Sequence, residues 1–345
     1  LSYVDESMVN VALPAMQRDL EAGFATMQWV FNGYMLALAS LTLLGGSASD
    51  RFGCRRIFLV GLAAFAAASL ACALAPSAAW LVAARSAQGP AAALLMPASL
   101  ALVSSAYTGT ARGAAIGTWA ASGAIAIALG RPLGGWLVDA VGWRAIFFVN
   151  LPLAAGALWL GFKLAAGRDA ERTRAFDLPG ALLAVLSLGL LSYGLIALGQ
   201  GDGVAGALAV GLSLPAMALF VRQEARSPTP MLPLPLFRNV AFAGVNLVTA
   251  LYYAALSGAL FLLPYVLIEV HGYSALAAGA AFLPLSILMG GGSRWAGGLM
   301  ARTGARLPLV LGPALTAAGY VLLGLSGEEP SYWRGFLPGL LVVAL

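Results

Sequence analysis

Two ionisable residues inside apolar stretches of the sequence have types suited to proton coupling: the acid Asp5 and the cation Arg85. A charged side chain inside a membrane is costly unless a partner or water accompanies it. Counted at about 1.5 Å per helical residue, Asp5 and Arg85 lie at a similar depth in their stretches. A buried carboxylate holds a proton more tightly, and a neighbouring guanidinium weakens that hold. We therefore predict that this pair couples proton binding to a conformational change; a static ion pair that only orders the helices is the alternative.

A short turn between two apolar stretches carries a cluster of charge, in residues 50–56 (DRFGCRR). Gly53 allows the chain to reverse direction there, and a carboxylate such as that of Asp50 can cap the N-terminus of a neighbouring helix. Anchoring by basic residues on the cytoplasmic side is the simpler alternative. The spacing favours a conformational latch that consists of Gly46, Asp50, Arg51, Gly53, Arg55 and Arg56.

Polar, aromatic and small residues on the same stretches are candidates for substrate contact and for close helix packing. The candidate substrate contacts are Glu6, Trp29, Asn32, Tyr34 and Gln88, with Tyr252, Tyr253 and Phe282 on later stretches. For the aromatic residues, a position facing lipid or the membrane interface is an equal alternative. The residues expected at close helix contacts are Gly89, Gly130, Pro132, Gly134 and Gly135. Because intramembrane acid is scarce, a lipophilic monocation or a neutral compound is a better expected substrate than a dication.

The composition of the chain requires lipid as its solvent. Of its 345 residues, 61% are hydrophobic and only 10% are charged, whereas soluble domains carry about a quarter charged residues. The net charge of +5 is spread over short loops, which is a poor pattern for binding nucleic acid. One histidine and two cysteines form no ligand pattern for a metal ion. We therefore predict a membrane protein with no metal, no cofactor and no nucleic-acid partner.

Twelve apolar stretches must position these residues, and we expect each to be a membrane-spanning helix. Such a helix needs about 20 apolar residues to cross roughly 30 Å of hydrocarbon, and unpaired strand edges are not tolerated in lipid. The predicted fold class is therefore all-α. Both ends of the chain lie inside apolar stretches, so we expect the first and last spans to be incomplete. The stretches are residues 1–16, 27–47, 57–74, 78–102, 113–138, 145–162, 178–198, 204–221, 240–268, 274–298, 307–325 and 335–345.

Loop charge and loop length predict the orientation and the domains. Basic residues are concentrated in the loops after even-numbered spans, which places these loops and the N-terminus in the cytoplasm. The predicted domains are a six-helix bundle at 1–163, a cytoplasmic loop at 164–177, an extra pair of spans at 178–222, a proline-rich connector at 223–239 and a partial second bundle at 240–345.

Five segments of the chain resemble signatures of a known transporter family. Residues 46–56 (GSASDRFGCRR) and 81–89 (LVAARSAQG) resemble the loop and span-four signatures of the major facilitator superfamily. Three more resemble signatures of its fourteen-span drug:proton antiporter branch, namely 4–14 (VDESMVNVALP), 28–36 (QWVFNGYML) and 143–152 (WRAIFFVNLP). The loop motif is partly repeated at 297–306, as in transporters built from two similar bundles. The resemblance covers nearly the whole chain and implies that Asp5 and Arg85 serve in proton coupling.

Residues 130–135 (GRPLGG) depart from the antiporter pattern, which reads Gly-Pro-x-x-Gly-Gly in this segment. Arg131 occupies the usual place of the proline, and Pro132 follows one position later. A guanidinium at this depth requires a counter-charge such as Asp5 or Glu6, or must extend outward to water. Loss of function through Arg131 is a further alternative.

The residues and the resemblance together predict a secondary transporter, not an enzyme, that exports small amphipathic or lipophilic compounds in exchange for protons by alternating access. The expected partners are the substrate, protons and the lipid of the inner or plasma membrane, which the chain crosses several times as a monomer. The sequence contains no Gly-x-x-x-x-Gly-Lys-Ser/Thr loop for a nucleotide. An importer of a metabolite, a membrane-embedded enzyme and a non-functional truncated remnant are the alternatives, and the single histidine disfavours the enzyme.

Overall fold

The computed structural model describes residues 1–163, 177–228, 230, 232, 234–290, 292, 304, 306–325 and 331–344. Every regular element in these ranges is helical, which confirms the predicted all-α fold class. The α-helices are, in chain order, α1 (Ser2–Asp19), α2 (Phe24–Phe52), α3 (Cys54–Ala73), α4 (Ala78–Ala106), α5 (Gly109–Ala140), α6 (Ala145–Phe148), α7 (Asn150–Lys163), α8 (Leu178–Gly199), α9 (Gly203–Arg226), α10 (Val240–Tyr265), α11 (Ala275–Ala280), α12 (residues 283–290), α13 (Arg306–Leu325) and α14 (Leu337–Ala344). Shorter turns of other helix types lie at Leu234–Arg238, Val266–Val270 and Tyr332–Phe336.

The described helices match the predicted spans. Nine helices in the described ranges are long and apolar enough to cross a membrane. The first predicted span corresponds to the more polar α1, the tenth to the shorter apolar helix Ala275–Gly290, and the last to the helical residues of 331–344. Such lengths of apolar helix are stable only in lipid, so the chain is a multi-pass membrane protein.

The helices pack into two compact units, of which the first comprises Leu1, Met16–Trp119 and Phe147–Leu236. Within it, α4 packs along both α2 and α3, and α3 also packs against α7. Gly89 of α4 makes the contact with α2 possible, because a Cβ there would lie 2.7 Å from the backbone oxygen of Tyr34. Close backbone approach of this kind holds helices together in lipid, which provides no hydrophobic drive for helix association.

The helices α8 and α9 form a hairpin within the first unit, and α8 packs against α2. Asp202 caps the first turn of α9. Asp177 caps α8 by accepting a hydrogen bond of 2.8 Å from the Gly180 N–H, and it accepts another of 3.0 Å from Gln223 Nε2. Burial raises the pKa of the Asp177 carboxyl, but the hydrogen bonds that it accepts from one backbone N–H and two side chains outweigh burial and keep the pKa below its ordinary value. The polar contacts therefore tie the start of α8 to the end of α9.

The second unit comprises Ser2–Ala15, Ala120–Ile146 and Phe237–Leu345. Its core is formed by apolar side chains that include Leu256, Leu267, Phe282, Phe336 and Leu340. Asp139, near the end of α5, accepts hydrogen bonds from the N–H groups of Ala275 and Leu276 and so caps α11. This cap fixes the start of α11 against α5.

The predicted domain bounds stay a prediction. Most of the predicted loop at 164–177 and of the repeated motif at 297–306 lies outside the described residues. In the predicted connector at 223–239, the chain leaves α9 and makes one short turn at Leu234–Arg238 before α10 begins.

Candidate functional site

The guanidinium of Arg85 is fully buried in the first unit. Its Cζ lies 4.2 Å from the centre of the Tyr34 ring, within the range of a cation–π contact. Its Nη1 donates a hydrogen bond of 2.7 Å to Gln88 Oε1, and its Nε donates one of 3.3 Å to the Val30 carbonyl. Arg85 and Gln88 share a face of α4 because they are three residues apart. These contacts hold the charge between α2 and α4.

A chain of hydrogen bonds continues from Gln88 to two further helices. Gln88 Nε2 donates to Ser69 Oγ of α3 at 2.8 Å, and Asn150 Nδ2 of α7 donates to the same oxygen at 3.2 Å. The Cys72 thiol donates to Gln88 Oε1 at 3.8 Å. All of these side chains are buried. We call Arg85, Gln88, Ser69, Asn150 and Cys72 the Arg85 network.

Sequence reasoning identified Arg85 and Gln88 as site residues but missed Ser69 and Asn150. A signal was present, since each is a polar residue within an apolar stretch, where polar groups need partners. Asn150 also belongs to segment 143–152, one of the segments with a family resemblance. The signal did not indicate that the two side chains meet.

The predicted proton site, Asp5, lies on α1 in the second unit and is 1% exposed. Glu6 is half-buried on the same helix. Asn10 is also buried there, and its Oδ1 accepts no hydrogen bond from the described residues. Arg85 belongs to the first unit, and its predicted pairing with Asp5 stays a prediction.

One residue of the predicted latch contacts the end of a distant span. Arg55 Nε donates to the Gly161 carbonyl at 3.0 Å, and its Nη2 donates to the Phe162 carbonyl at 2.9 Å. These carbonyls lie at the C-terminus of α7, where the helix dipole favours a cation. Gly53 joins α2 to α3 with a φ of 91°, which side-chain-bearing residues rarely adopt. The other latch residues lie at the end of α2 and the start of α3, and the latch stays a prediction.

The candidate substrate contacts occupy different environments. Tyr34 and Gln88 are fully buried beside Arg85. Trp29 lies 6.5 Å from the Tyr193 ring, so it faces the α8 helix. Asn32 is half-buried on α2. Their roles in substrate binding stay predictions.

A cavity in the second unit brings together two of the later aromatic candidates. It has a volume of about 260 Å³ and is lined by Tyr252 and Tyr253 together with Thr249 and Thr316. Aromatic rings with a few hydroxyl groups suit a small amphipathic ligand.

In the described part of the chain, no three His, Cys, Asp or Glu side chains are grouped as a metal site would require.

The small residues of segment 130–135 lie at close helix contacts in the second unit. A Cβ on Gly130 would overlap the Ser7 side chain of α1, and one on Gly134 would lie 2.7 Å from the Met8 Cα. On the other side of α5, a Cβ on Gly135 would overlap the backbone at Ala275. Pro132 lies within α5, which continues past it to Ala140.

Arg131 does not extend outward to water, which was one of the sequence alternatives. Its side chain is 7% exposed, and its Cζ lies 4.9 Å from the centre of the Phe282 ring. The carboxylate of Glu6 interacts with it electrostatically. Phe282, a candidate substrate contact, therefore lies beneath this guanidinium.

Comparison with known proteins places the chain among transporters. Residues 1–344 match the family described as Major Facilitator Superfamily. The chain is 39% identical over 332 residues to the multidrug resistance protein Stp of Mycobacterium tuberculosis (strain CDC 1551 / Oshkosh), covering 95% of this chain and 62% of that protein. It is 38% identical over 337 residues to the tetracenomycin C resistance and export protein of Streptomyces glaucescens, covering 96% of this chain and 62% of that protein. The chain thus spans less than two thirds of either relative.

A solved structure supports the same assignment at the level of the fold. The structure of a bacterial homologue of the human lysosomal transporter Spinster, in an inward-facing and occupied conformation, gives a TM-score of 0.61 at 18% identity and covers 99% of this chain and 68% of that one. At this identity the likeness concerns the fold alone. Together with the family match over residues 1–344, these findings show that the chain belongs to the Major Facilitator Superfamily.

Proposed function

We propose that this protein is a secondary active transporter that exports small amphipathic or lipophilic compounds in exchange for protons. The observation that carries the proposal is the burial of two opposite charges within apolar helices: Arg85 is fully enclosed, and Asp5 is 1% exposed. The export and resistance functions in the names of the two relatives support the direction of transport. The chain spans 62% of the length of each relative. The activity and the substrates of the whole protein are therefore part of what we propose.

Asp5 is the residue that binds and releases the exchanged proton. A protonated carboxyl is neutral and costs little to enclose, whereas a carboxylate needs water or a cation. Binding a proton therefore favours a conformation in which Asp5 is enclosed, and losing it favours one in which the carboxylate reaches water or Arg85. If substrate and proton bind competitively to one conformation, binding of either one displaces the other, as exchange requires.

In this mechanism, the Arg85 network provides a cation whose position stays constant while Asp5 gains or loses its proton. The guanidinium stacks on Tyr34 and donates hydrogen bonds to Gln88 and to the Val30 carbonyl. Gln88 is in turn held by Ser69. A cation held in one place by several helices keeps its charge and position while a carboxylate changes state.

We also propose the membrane, the orientation and the oligomeric state in which the protein works. The protein works as a monomer in the inner or plasma membrane with its N-terminus in the cytoplasm. It moves its substrate without chemical conversion. The predicted latch controls the exchange between conformations through the turn at Gly53 and the attachment of Arg55 to the end of α7.

Dye efflux from vesicles with an imposed pH gradient tests the proposal. Wild type, Asp5→Asn and the control Asp202→Asn are compared with ethidium and with anthracene-9-carboxylate as substrates. Asparagine keeps the shape of the side chain but cannot exchange a proton. We therefore expect Asp5→Asn to lose gradient-driven efflux while dye binding stays measurable.

The control changes only the cap of α9, so we expect it to transport like wild type. Efflux by Asp5→Asn that still follows the pH gradient would exclude Asp5 as the proton site. Absence of efflux of both dyes by wild type would contradict export itself.

A further inference from the structure

Arg131 is a buried cation within a membrane-spanning helix. It lies roughly 14 Å from the end of α5 at Ala140, at 1.5 Å per helical residue, and its side chain is 7% exposed. A guanidinium at such a depth is stable only with compensating negative charge or water. The groups that compensate the charge of Arg131 therefore bear on the function of this residue.

The surroundings of Arg131 cover one face of the guanidinium and leave its Nε without an acceptor among the described residues. Phe282 covers the face at 4.9 Å. Glu6 supplies negative charge through an electrostatic interaction. Nε is buried and donates no hydrogen bond to any described residue. A guanidinium carries five N–H donors in a planar fork that fits a carboxylate, and the Nε of Arg131 is a donor of this fork that remains for a ligand.

The backbone at Arg131 is held on both sides by neighbouring helices, and Phe282 contacts the guanidinium. A Cβ on Gly279 of α11 would overlap the Arg131 carbonyl, and one on Gly130 would overlap Ser7 of α1. The helix α5 therefore cannot shift toward either neighbour. A preorganised cation loses little entropy when it binds an anion, which increases affinity.

We infer that Arg131 binds the acidic group of a transported compound, and that the substrates of this protein include aromatic organic anions with a carboxylate or phenolate. The inference rests on the proposed function and specifies the substrate class of that transporter. The ring of Phe282 gives the guanidinium one planar face, and the fork of N–H donors meets the anion at the edge. The sequence alone favoured a monocation or a neutral compound, and the burial of Arg131 is the reason for the change.

Three fluorescent probes of one shape test the inference: anthracene-9-carboxylate, anthracene-9-carboxamide and 9-(aminomethyl)anthracene. Their binding to the purified protein in lipid nanodiscs is measured by fluorescence titration. We expect wild type to bind the carboxylate about tenfold more tightly than the amide, since charge-assisted hydrogen bonds are roughly twice as strong as neutral ones.

Two substitutions at Arg131 separate its charge from its shape. Arg131→Gln removes the charge, so we expect it to lose the preference for the carboxylate while binding of the amide is kept. Arg131→Lys keeps a charge without the planar fork, so we expect an intermediate preference. The matched control is Arg112→Gln, an exposed arginine on the same helix, which should bind all three probes like wild type.

The outcomes distinguish the inference from the proposed function. An unchanged carboxylate preference in Arg131→Gln, or an equal loss for all three probes, overturns the inference. Binding of the amide and the amine by wild type without a preference for the carboxylate also overturns it but leaves the transporter proposal standing. If wild type binds none of the probes, the inference fails, and the efflux of ethidium decides the transporter proposal separately. Thermal unfolding of each variant shows whether a loss of binding reflects loss of folded protein. If Arg131→Gln does not fold, the carboxylate preference of Arg131→Lys tests the inference instead.

Discussion

Buried polar side chains in a membrane protein depend on one another, because no water is available to replace a lost partner. In the Arg85 network this dependence is concentrated at one atom. Ser69 Oγ accepts hydrogen bonds from both Gln88 and Asn150 and so connects α4 and α7 through α3. Removal of that oxygen takes one acceptor from each of two buried donors, and a buried polar group that loses a partner costs more than a hydrogen bond contributes.

The first prediction concerns this acceptor. Ser69→Ala should lower the stability of the protein by about 1–3 kcal/mol and should also loosen the hold on Arg85 through Gln88. The measurement is the midpoint of thermal unfolding in detergent. Ser104→Ala is the matched control, since Ser104 returns its hydroxyl to the Ala101 carbonyl of its own helix. Equal midpoints for the two variants would show that the network adds no stability.

At the scale of helices, small residues decide where backbones can meet. The sequence signature draws attention to Gly46, yet the closer contact belongs to its neighbour. A Cβ on Gly45 would overlap the Ala93 carbonyl of α4, whereas one on Gly46 would lie 3.9 Å from the Pro97 side chain, an ordinary contact. A carbonyl within a helix cannot rotate away as a side chain can, so the α2–α4 contact depends on Gly45.

The second prediction uses this pair of adjacent glycines. Alanine is a better helix former than glycine by up to about 1 kcal/mol, so Gly46→Ala should be neutral or stabilising. Gly45→Ala should instead cost about 1–3 kcal/mol, because α2 must move away from α4. Both values come from thermal unfolding of the two variants in the same detergent. A stable Gly45→Ala protein would mean that α2 can move from α4 without loss.

At the scale of the whole molecule, charge and length define how the chain crosses the membrane. The loop between α8 and α9 lacks basic residues, while the end of α9 carries Arg222 and Arg226. The positive-inside rule therefore predicts that the end of this hairpin at residues 200–202 faces away from the cytoplasm. This predicted orientation follows from loop composition and not from packing.

The third prediction tests that orientation by labelling intact cells with a membrane-impermeant maleimide. In a Cys54→Ser background, the new cysteine of Gln200→Cys should be labelled from outside, whereas that of Ala225→Cys should react only after permeabilisation. Both positions are exposed, so accessibility depends on the side of the membrane. Cys72 is buried and should stay unlabelled in both variants. Labelling in the reverse pattern would place the N-terminus outside.

The sequence by itself predicted the all-α fold class and the apolar helices, because the length and apolarity of a stretch are local properties that decide whether it can lie in lipid. It also identified Arg85 and Gln88 as candidate site residues, because both belong to the segment 81–89 that resembles a family signature. The same reasoning applied to loop charge gives an orientation. These features depend on residues that are close in sequence.

Tertiary structure alone decided which side chains from different helices meet. Asn150 donates to the Ser69 oxygen although 81 positions separate the two residues. Gly45, and not Gly46, is pressed against α4, and Phe282 lies beneath Arg131. Helices in lipid associate through shape and hydrogen bonds and not through a hydrophobic pattern. The apolar pattern that marks a span therefore carries little information about which face of the helix meets which neighbour.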